Sequence, residues 1–545
     1  MKIMFKLLFL TVVLAMSGSV FAQEVISGKL TDAETGEPIE GVRIRFEGSK
    51  MEVLTDSEGR FKTQKEGTTQ ILIFAHADYE EISVNITEYP GGEIIKEMTS
   101  NLRFNQYGQR VSRQELSAES REGFLNFESK DKNYKLWFDN RLYLDGATYF
   151  DNYDHDLTQE ENLAKGQLDM PGQYLKLRRM RFAIKARVGD NWYGEIDFDF
   201  DGNMVDIKDV YMRRFFGTPG SPWGQIKIGQ FRMPQGMQQT TTSRYLKLIE
   251  RAGVYKFNPN RRLGIGWASW NQHYSFGLAV HTEEARPDLD FEADPTLDYY
   301  SGPKDGAGVM QGAKPMLGVS TRGVYYPINE TGKLVSVGAG FSHRTVGLYK
   351  YASGGRIKYD VKDETRVSEM EWTVAKVDGA TAATNLNIDA ALSYGPWRMT
   401  GEYYYNMVSV KDIATTTNFN GFYVQTAYLL TGENHAWNFR EGEFTQVRAE
   451  SKKGALEVAA RYSYLNLNDF DAGLLGGQKG QYTVGINYYA SRNVKFMLNY
   501  SYVNHDQYAN GSGDYSDYVL QAAPGEAPMK GFDYGFLAWR CELDF

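Results

Sequence analysis

The chain has 545 residues, a formal net charge of −9 and one cysteine. Its length allows more than one domain, and its negative charge argues against nucleic acid as a partner. The lone Cys541 excludes an intramolecular disulfide, and a single thiol argues against a cysteine metal site. Aromatic residues make up 14% of the chain, including 37 tyrosines. Tyr and Trp suit the headgroup levels of a membrane.

The first 22 residues have the features of a secretory signal peptide. Lys2 and Lys6 flank the start of an apolar run over residues 7–16, and the small-residue site Val20-Phe21-Ala22 follows it. We therefore expect the mature chain to begin at Gln23. After this segment no stretch approaches ~18 apolar residues, so the sequence predicts no membrane-spanning helix.

Residues 23–98 form a unit of short β-rich runs that are separated by turn residues, a pattern that predicts a small β-sandwich. Three of its motifs are Ser27-Gly28-Lys29-Leu30-Thr31-Asp32, Gly36-Glu37-Pro38-Ile39-Glu40-Gly41-Val42 and Thr55-Asp56-Ser57-Glu58-Gly59-Arg60-Phe61. With Tyr79-Glu80, they resemble the carboxypeptidase-regulatory-like (transthyretin-like) domain. The resemblance implies a non-catalytic module, and the sequence does not indicate what it contacts. Residues 99–131 are interpreted as a polar linker, with a helix candidate at residues 117–122.

A strict two-residue period organises the rest of the chain, and residues 174–201 show it most clearly. Charged side chains alternate with apolar ones over residues 178–188, and acidic side chains alternate with apolar ones over residues 192–201. Two adjoining strands with one charged and one apolar face fit a closed membrane barrel, because closure pairs every backbone group without water and lipid covers the apolar face. Residues 205–216 break the rule, which a β-bulge or a strand end that faces a loop would explain.

The same alternation returns in later segments and continues to Phe545. Short turns such as residues 490–493 alternate with long polar stretches such as 283–311 and 504–530, as expected for the two rims of a barrel. We therefore predict an all-β protein, with a transmembrane antiparallel β-barrel over residues 132–545 after the small N-terminal sandwich. About 415 residues at roughly 26 per strand and connection give about 16 strands.

Several motifs of this region resemble the phosphate-selective porin O/P family. They are Ile228-Gly229-Gln230-Phe231-Arg232, Thr242-Ser243-Arg244-Tyr245-Leu246-Lys247-Leu248-Ile249-Glu250-Arg251 and Pro259-Asn260-Arg261-Arg262-Leu263-Gly264, with weaker matches over residues 175–181, 207–211, 421–433 and 459–465. The resemblance implies a trimeric porin of 16 strands in the outer membrane of a Gram-negative bacterium, with basic residues along an anion path. Its partners would be outer-membrane lipid and small inorganic or organic anions.

The candidate anion path contains nine basic residues. The strand pattern points four of them inward, namely Arg179, Arg181, Lys185 and Arg187. The resemblance alone adds Arg232, Arg244, Arg251, Arg261 and Arg262. An acidic ladder of Glu195, Asp197, Asp199 and Asp201 lies on the next strand. Pairing between the two ladders would leave the cations bracing the wall, and this alternative to an anion path remains open.

The sequence offers no catalytic or metal-binding motif. Residues 197–202 imitate the start of a calcium loop, but Lys208 stands at the twelfth position, where a bidentate Glu belongs. The seven His residues show no zinc spacing, so we expect no enzyme activity, metal or cofactor. The preferred interpretation is a passive channel for small anions such as phosphate. A general non-selective pore, and a barrel that only anchors a surface binding or adhesion protein, remain alternatives.

Overall fold

The computed structural model describes residues 25–545 except 66–67, 92, 113–115, 151–155, 157–160, 163–164, 166–171, 202–204, 219–220, 284–316, 347–354, 369, 412, 414–415 and 510–530. The predicted signal peptide lies outside the described residues, as do most of the two long polar stretches. The chain divides into two compact units, Met1–Glu115 and Leu116–Phe545. Among the described residues, no helix has the length and apolar character needed to cross a bilayer.

The first unit is a small β-sandwich, as the sequence predicts. Its strands are β1 (Val25–Asp32), β2 (Arg43–Phe46), β3 (Val53–Leu54), β4 (Arg60–Gln64), β5 (Ile71–Ala75), β6 (Ile82–Asn85) and β7 (Ile94–Met98), with a 3₁₀ turn at Ile86–Glu88. One sheet has the order β4-β1-β7 and the other β3-β2-β5-β6. Their inner faces enclose a core that includes Leu30, Leu72 and Phe74, each fully buried. A short hairpin, β8 (Leu102–Phe104) with β9 (Arg110–Ser112), follows.

The motif residues of this unit hold its turns in place. The Asp32 carboxylate accepts the N–H groups of Glu34 and Thr35 and the hydroxyl of Tyr79. Gly59 has a φ of +72°, and a Cβ there would lie 2.4 Å from the Leu30 carbonyl oxygen, so only glycine fits. These contacts give the motif a structural role within the sandwich.

The second unit opens with a hairpin of β10 (Leu116–Arg121) and β11 (Phe124–Ser129). The helix candidate at residues 117–122 is therefore wrong, because this stretch pairs as a strand with β11. β11 in turn pairs with the first residues of the barrel, so the hairpin extends the barrel sheet. Residues predicted to form a polar linker thus contribute two strands to that sheet. The side chains of β10 are exposed, whereas Asn126 and Ser129 on β11 are buried.

The remaining strands build the barrel and its insertions. They are β12 (Tyr134–Phe150), β13 (Gln173–Val188), β14 (Trp192–Asp199), β15 (Asp206–Thr218), β16 (Ser221–Arg232), β17 (Arg261–Trp270), β18 (Tyr274–His281), β19 (Gly318–Glu330), β20 (Lys333–Thr345), β21 (Gly355–Lys362), β22 (Glu371–Tyr394), β23 (Trp397–Val410), β24 (Thr416–Leu429), β25 (Trp437–Asn438), β26 (Glu443–Phe444), β27 (Ala455–Asp469), β28 (Leu474–Tyr489), β29 (Val494–His505) and β30 (Phe532–Asp544). Three short helical segments lie at Met237–Thr240, Ser243–Tyr245 and Gly253–Phe257.

Sixteen of these strands form one closed antiparallel barrel. They are β12–β20, β22–β24 and β27–β30, each paired with its neighbour, and β12 pairs with β30 to close the ring. The predicted all-β fold and the strand number are confirmed. The tight turns at residues 189–191, 271–273, 331–332, 395–396 and 490–493 lie at the rim that carries the start of β12 and the end of β30, which we call the terminal rim.

The two-residue period produces an apolar exterior and a polar interior. In β29, Phe496, Leu498 and Tyr500 are each more than two-fifths exposed, whereas Asn499 and Ser501, at the alternate positions, are buried. The apolar stripes therefore form an outer belt and do not pack on protein, as the barrel prediction requires. Lipid covers such a belt, and polar side chains fill the inside.

Two register shifts alter which side chains face the lumen. Between β12 and β13 the pairing skips Arg178, so that both Arg178 and Arg179 are buried inside. A second shift lies between β14 and β15 at Ile196 and Phe198, next to the stretch where the alternation breaks. A β-bulge at each place accounts for the local change of face.

Candidate functional site

Three chain segments fold into the barrel and narrow its lumen. We call residues 233–260, between β16 and β17, the crossing loop. Residues 355–380, which are β21 and the first part of β22, form the inserted hairpin. Residues 430–454, between β24 and β27, form the rim loop, which is the one long connection at the terminal rim among the described connections.

The crossing loop is fixed to the opposite wall by buried polar contacts. Near its start, the N–H groups of Met237 and Gln238 donate to the two oxygens of Glu402 on β23, at 3.1 and 2.6 Å. Near its middle, the Lys247 ammonium lies 2.9 Å from Glu457 on β27, and both side chains are almost completely buried. These contacts carry the loop across the lumen, so it obstructs the pore from within.

The inserted hairpin packs on both the crossing loop and the wall. Glu364 accepts the N–H of Gly253 in the crossing loop at 2.9 Å and the hydroxyl of Ser463 on β27 at 2.6 Å. Apolar side chains of the two segments, including Phe257 and Tyr359, share one buried cluster. The hairpin therefore supports the crossing loop over several residues.

The rim loop reaches the crossing loop from the opposite end of the barrel. Glu443 accepts the N–H of Thr242 at 2.9 Å. Arg322 on β19 donates to both Thr240 Oγ1 and the Gly442 carbonyl at 3.1 Å, and holds Asp389 through two further bonds. Arg322 thus joins the two loops to the wall.

A cavity of about 230 Å³, which we call the basic chamber, lies inside the barrel. It is bounded by the crossing loop, by the turn of the inserted hairpin between β21 and β22, and by strands β13–β17. Nine cationic side chains line it: Arg178, Arg179, Arg181, Lys208, Arg232, Arg251, Lys256, Arg261 and Arg366. Four acidic side chains line it: Asp199, Asp201, Asp206 and Glu250. Tyr255, Asn258 and Asn260 complete the lining. Cations outnumber acids, so the chamber carries an excess of positive charge.

Besides Arg179, whose contact with Glu250 is 3.8 Å, five of the nine cations are paired with carboxylates through hydrogen bonds. Their pairs are Arg178 with Glu250 and Asp201, Arg181 with Asp199, Lys208 with Asp206, Lys256 with Asp360, and Arg261 with Asp209. Arg232 and Arg251 instead donate to backbone carbonyls of the crossing loop, at residues 238–241. Carbonyls satisfy the donors without cancelling the charge, so these two guanidinium groups contribute to the positive field.

The chamber contains five of the nine basic residues that the sequence singles out. These are Arg179, Arg181, Arg232, Arg251 and Arg261. The other four do not line it: Lys185 lies beside Asp139 and Glu195, Arg187 donates to the Lys132 carbonyl, Arg244 pairs with Asp139, and Arg262 donates to the Pro259 carbonyl.

The acidic ladder divides in the same way. Asp199 and Asp201 line the chamber, whereas Glu195 and Asp197 lie outside its lining. Asp209 brings a carboxylate oxygen within 4.8 Å of one from each of Glu195 and Asp197. Cations stand beside all three: Lys185 at Glu195, Arg181 at Asp197 and Arg261 at Asp209. The group is balanced by protein cations, and we assign it no metal.

Sequence reasoning missed four of the chamber cations. For Arg178 a signal exists, because the apolar side chains change from odd positions at Leu175 and Leu177 to even positions at Met180, and such a change marks a bulge. Lys208 lies in the stretch with broken alternation. Lys256 and Arg366 lie in loops, where no periodicity indicates a direction.

A closed antiparallel barrel of sixteen strands, with an apolar belt outside, a charged lumen and a loop folded across it, defines the class of outer-membrane porins. The family model described as phosphate-selective porin O and P matches residues 150–522. The chain belongs to this family. The protein is therefore an outer-membrane barrel of a Gram-negative bacterium, and its family is one of channels.

The N-terminal unit matches a second family model, described as CarboxypepD_reg-like domain, over residues 26–107. The chain is similar to Porin O of Pseudomonas aeruginosa, with 22% identity over 414 residues, which cover 72% of this chain and 88% of that protein. Among solved structures it is similar to the outer-membrane channel DcaP of Acinetobacter baumannii, with a TM-score of 0.44 and 10% identity. The match covers 77% of this chain and 99% of the DcaP chain. It is also similar to the anion-selective porin from Comamonas acidovorans, with a TM-score of 0.42 and 11% identity. That match covers 76% of this chain and 100% of the Comamonas chain.

Proposed function

We propose that this protein is a passive outer-membrane channel for small anions such as phosphate, and that the basic chamber is its selective element. The observation that carries the proposal is the charge of the chamber, where nine cationic side chains face four acidic ones in about 230 Å³. The name of the family model and the relative Porin O support the same function.

The physical basis is the replacement of the water that an anion loses on entering the narrow lumen. Guanidinium groups offer several N–H donors in a fixed fork and stay protonated, so they suit oxyanions better than a neutral wall does. Arg232 and Arg251 keep their charge uncompensated because their acceptors are carbonyl oxygens. The field they create favours anions over cations along the path.

The experiment reverses charge in the chamber and measures ion selectivity in planar bilayers. Arg179→Glu combined with Arg181→Glu should lower the ratio of anion to cation permeability. The matched control makes the same charge change at Lys333 and Lys411, which are exposed and lie outside the chamber lining. An equal loss in the control, or no loss in the chamber variant, would contradict the proposal.

A second function is favoured by the three segments that fill much of the lumen. Such a filled barrel could serve as an anchor for a surface binding or adhesion protein and pass no current. Single-channel recording of the purified protein separates the two functions, because an anchor gives no conductance steps. Current without preference for either ion would indicate a general non-selective pore instead.

We also propose that the barrel assembles as a homotrimer in outer-membrane lipid. Membership of the porin family supports the assembly, and the apolar belt supports the contact with lipid. The mass of the detergent-solubilised protein, from light scattering with the detergent subtracted, tests the trimer directly. A monomer under mild detergent conditions would contradict it.

A further inference from the structure

The cations of the basic chamber fall into two groups, according to whether their side chains donate hydrogen bonds to the protein. Seven donate side-chain hydrogen bonds to a carboxylate or backbone carbonyl of the protein. Among the described residues, neither Arg179 nor Arg366 donates a side-chain hydrogen bond to the protein. We infer that Arg179 and Arg366 bind the permeating oxyanion and discriminate it from chloride. This inference rests on the proposed function.

Arg179 is held in place by surroundings that leave its donors free. Its side chain is 6% exposed, its Nε has no hydrogen-bond partner, and its nearest carboxylate contact is 3.8 Å from Nη2 to Glu250. That carboxylate is already engaged at 2.9 and 3.0 Å by Arg178 and Arg540. The guanidinium group lies over the Tyr143 ring, 5.8 Å from its centre. A buried donor without an acceptor is costly, so an acceptor from a ligand would be favourable.

Arg366 reaches the chamber from a different segment, the turn between β21 and β22. Its backbone has a φ of +55°, in the left-handed region that non-glycine residues rarely adopt. The neighbouring side chains Asp363 and Glu364 are fixed by the wall residues Lys479 and Arg461, which hold the turn in this conformation. Strain that the surroundings maintain occurs often where a side chain must point at a ligand.

The two guanidinium groups approach the chamber from separate elements, one on the strand wall and one on the loop. Each offers a planar fork of donors that fits two oxygens of one anion. A tetrahedral or carboxylate oxyanion can accept from such a fork with two of its oxygens, whereas a spherical halide has no pair of oxygens to match it. The general positive field attracts every anion, but only the forks distinguish oxyanions from chloride.

The test measures how inorganic phosphate reduces the chloride current through the full-length protein in planar bilayers. Wild-type current should fall as phosphate is added. Arg366→Lys and Arg179→Lys keep the positive charge but remove the fork, so each should raise the phosphate concentration that halves the current by about tenfold. Arg261→Lys, in the same chamber but engaged with Asp209, should raise it less than either.

The outcomes separate this inference from the proposed function. Wild-type channels that show no preference for anions would overturn the proposed function and with it the inference. Anion-selective channels in which Arg366→Lys has the wild-type response to phosphate, or in which Arg261→Lys responds as strongly, would overturn the inference alone. Heat-modifiable migration on gels verifies that each variant folds, and if Arg179→Lys does not fold, Arg366→Lys and Arg366→Gln decide the result.

Discussion

Arg540 on the last strand and Asp145 on the first form a two-pronged ion pair at the seam where the barrel closes. Nε to Oδ1 and Nη2 to Oδ2 are both 2.6 Å, and the two residues face each other directly in the β12–β30 pairing. Both side chains are fully buried. Arg540 also donates to the Ile249 carbonyl and to Glu250 of the crossing loop. One side chain therefore joins the closure of the barrel to the position of the loop.

Replacing Arg540 with Met should destabilise the folded barrel strongly, because Asp145 would remain buried without its partner. Removing one member of a buried pair typically costs about 3–5 kcal/mol. Urea unfolding in detergent micelles, followed by tryptophan fluorescence, measures the change in the free energy of unfolding.

The control for this variant is Lys333→Met, which removes an exposed ion pair with Glu330 at 3.7 Å. Exposed pairs contribute no more than about 1 kcal/mol. A similar small loss in both variants would show that the seam pair does not hold the barrel closed.

Gly236 should be essential for the position of the crossing loop. Its φ is +67°, and a Cβ there would lie 2.1 Å from the Tyr404 hydroxyl and 2.8 Å from a Glu402 oxygen. Gly236→Ala should therefore displace the loop from β23 and raise the single-channel conductance. Conductance steps in planar bilayers measure the effect.

Gly395→Ala provides the comparison, because Gly395 also has a positive φ of +56° but a Cβ there meets only one atom, at 3.9 Å. Gly395→Ala therefore adds backbone strain without a steric clash, and its single-channel conductance should equal the wild-type value. An equal change of conductance in both variants would show that Gly236 does not fix the position of the crossing loop.

Arg322 should hold the rim loop against the crossing loop. Arg322→Lys keeps a positive charge near Asp389 but loses the fork that also reaches Thr240 and Gly442. We expect the rim loop to open more often, which faster tryptic cleavage after Arg440 in the folded protein would reveal. Cleavage after Lys411, in another loop, serves as the internal reference and should keep its wild-type rate. Protection of Arg440 equal to wild type would show that the rim loop does not depend on this contact.

The barrel could be predicted from the sequence because each strand carries its own pattern. In β29 the apolar residues Phe496, Leu498 and Tyr500 recur at every second position, which indicates the outward face without reference to any other strand. The strand number follows from the length of the patterned region and the typical length of a strand with its connection. The bulge at Arg178 is visible too, once the change of apolar positions between Leu177 and Met180 is read as a shift of face.

The lumen could not be predicted in the same way, since its contacts join residues far apart in the chain. Lys247 and Glu457 meet inside the barrel although 210 positions separate them, and neither lies in a pattern that predicts the other. The positions of Lys256 and Arg366 likewise depend on how two loops pack together. Which cations meet in one chamber is a property of that packing.

The measurement that tests the central claim most directly is the zero-current potential of the wild-type channel across a steep KCl gradient. An excess of positive charge in the basic chamber should let chloride pass more readily than potassium, which makes the dilute side negative. A dilute side that becomes positive, or a potential near zero, would contradict an anion path through this chamber.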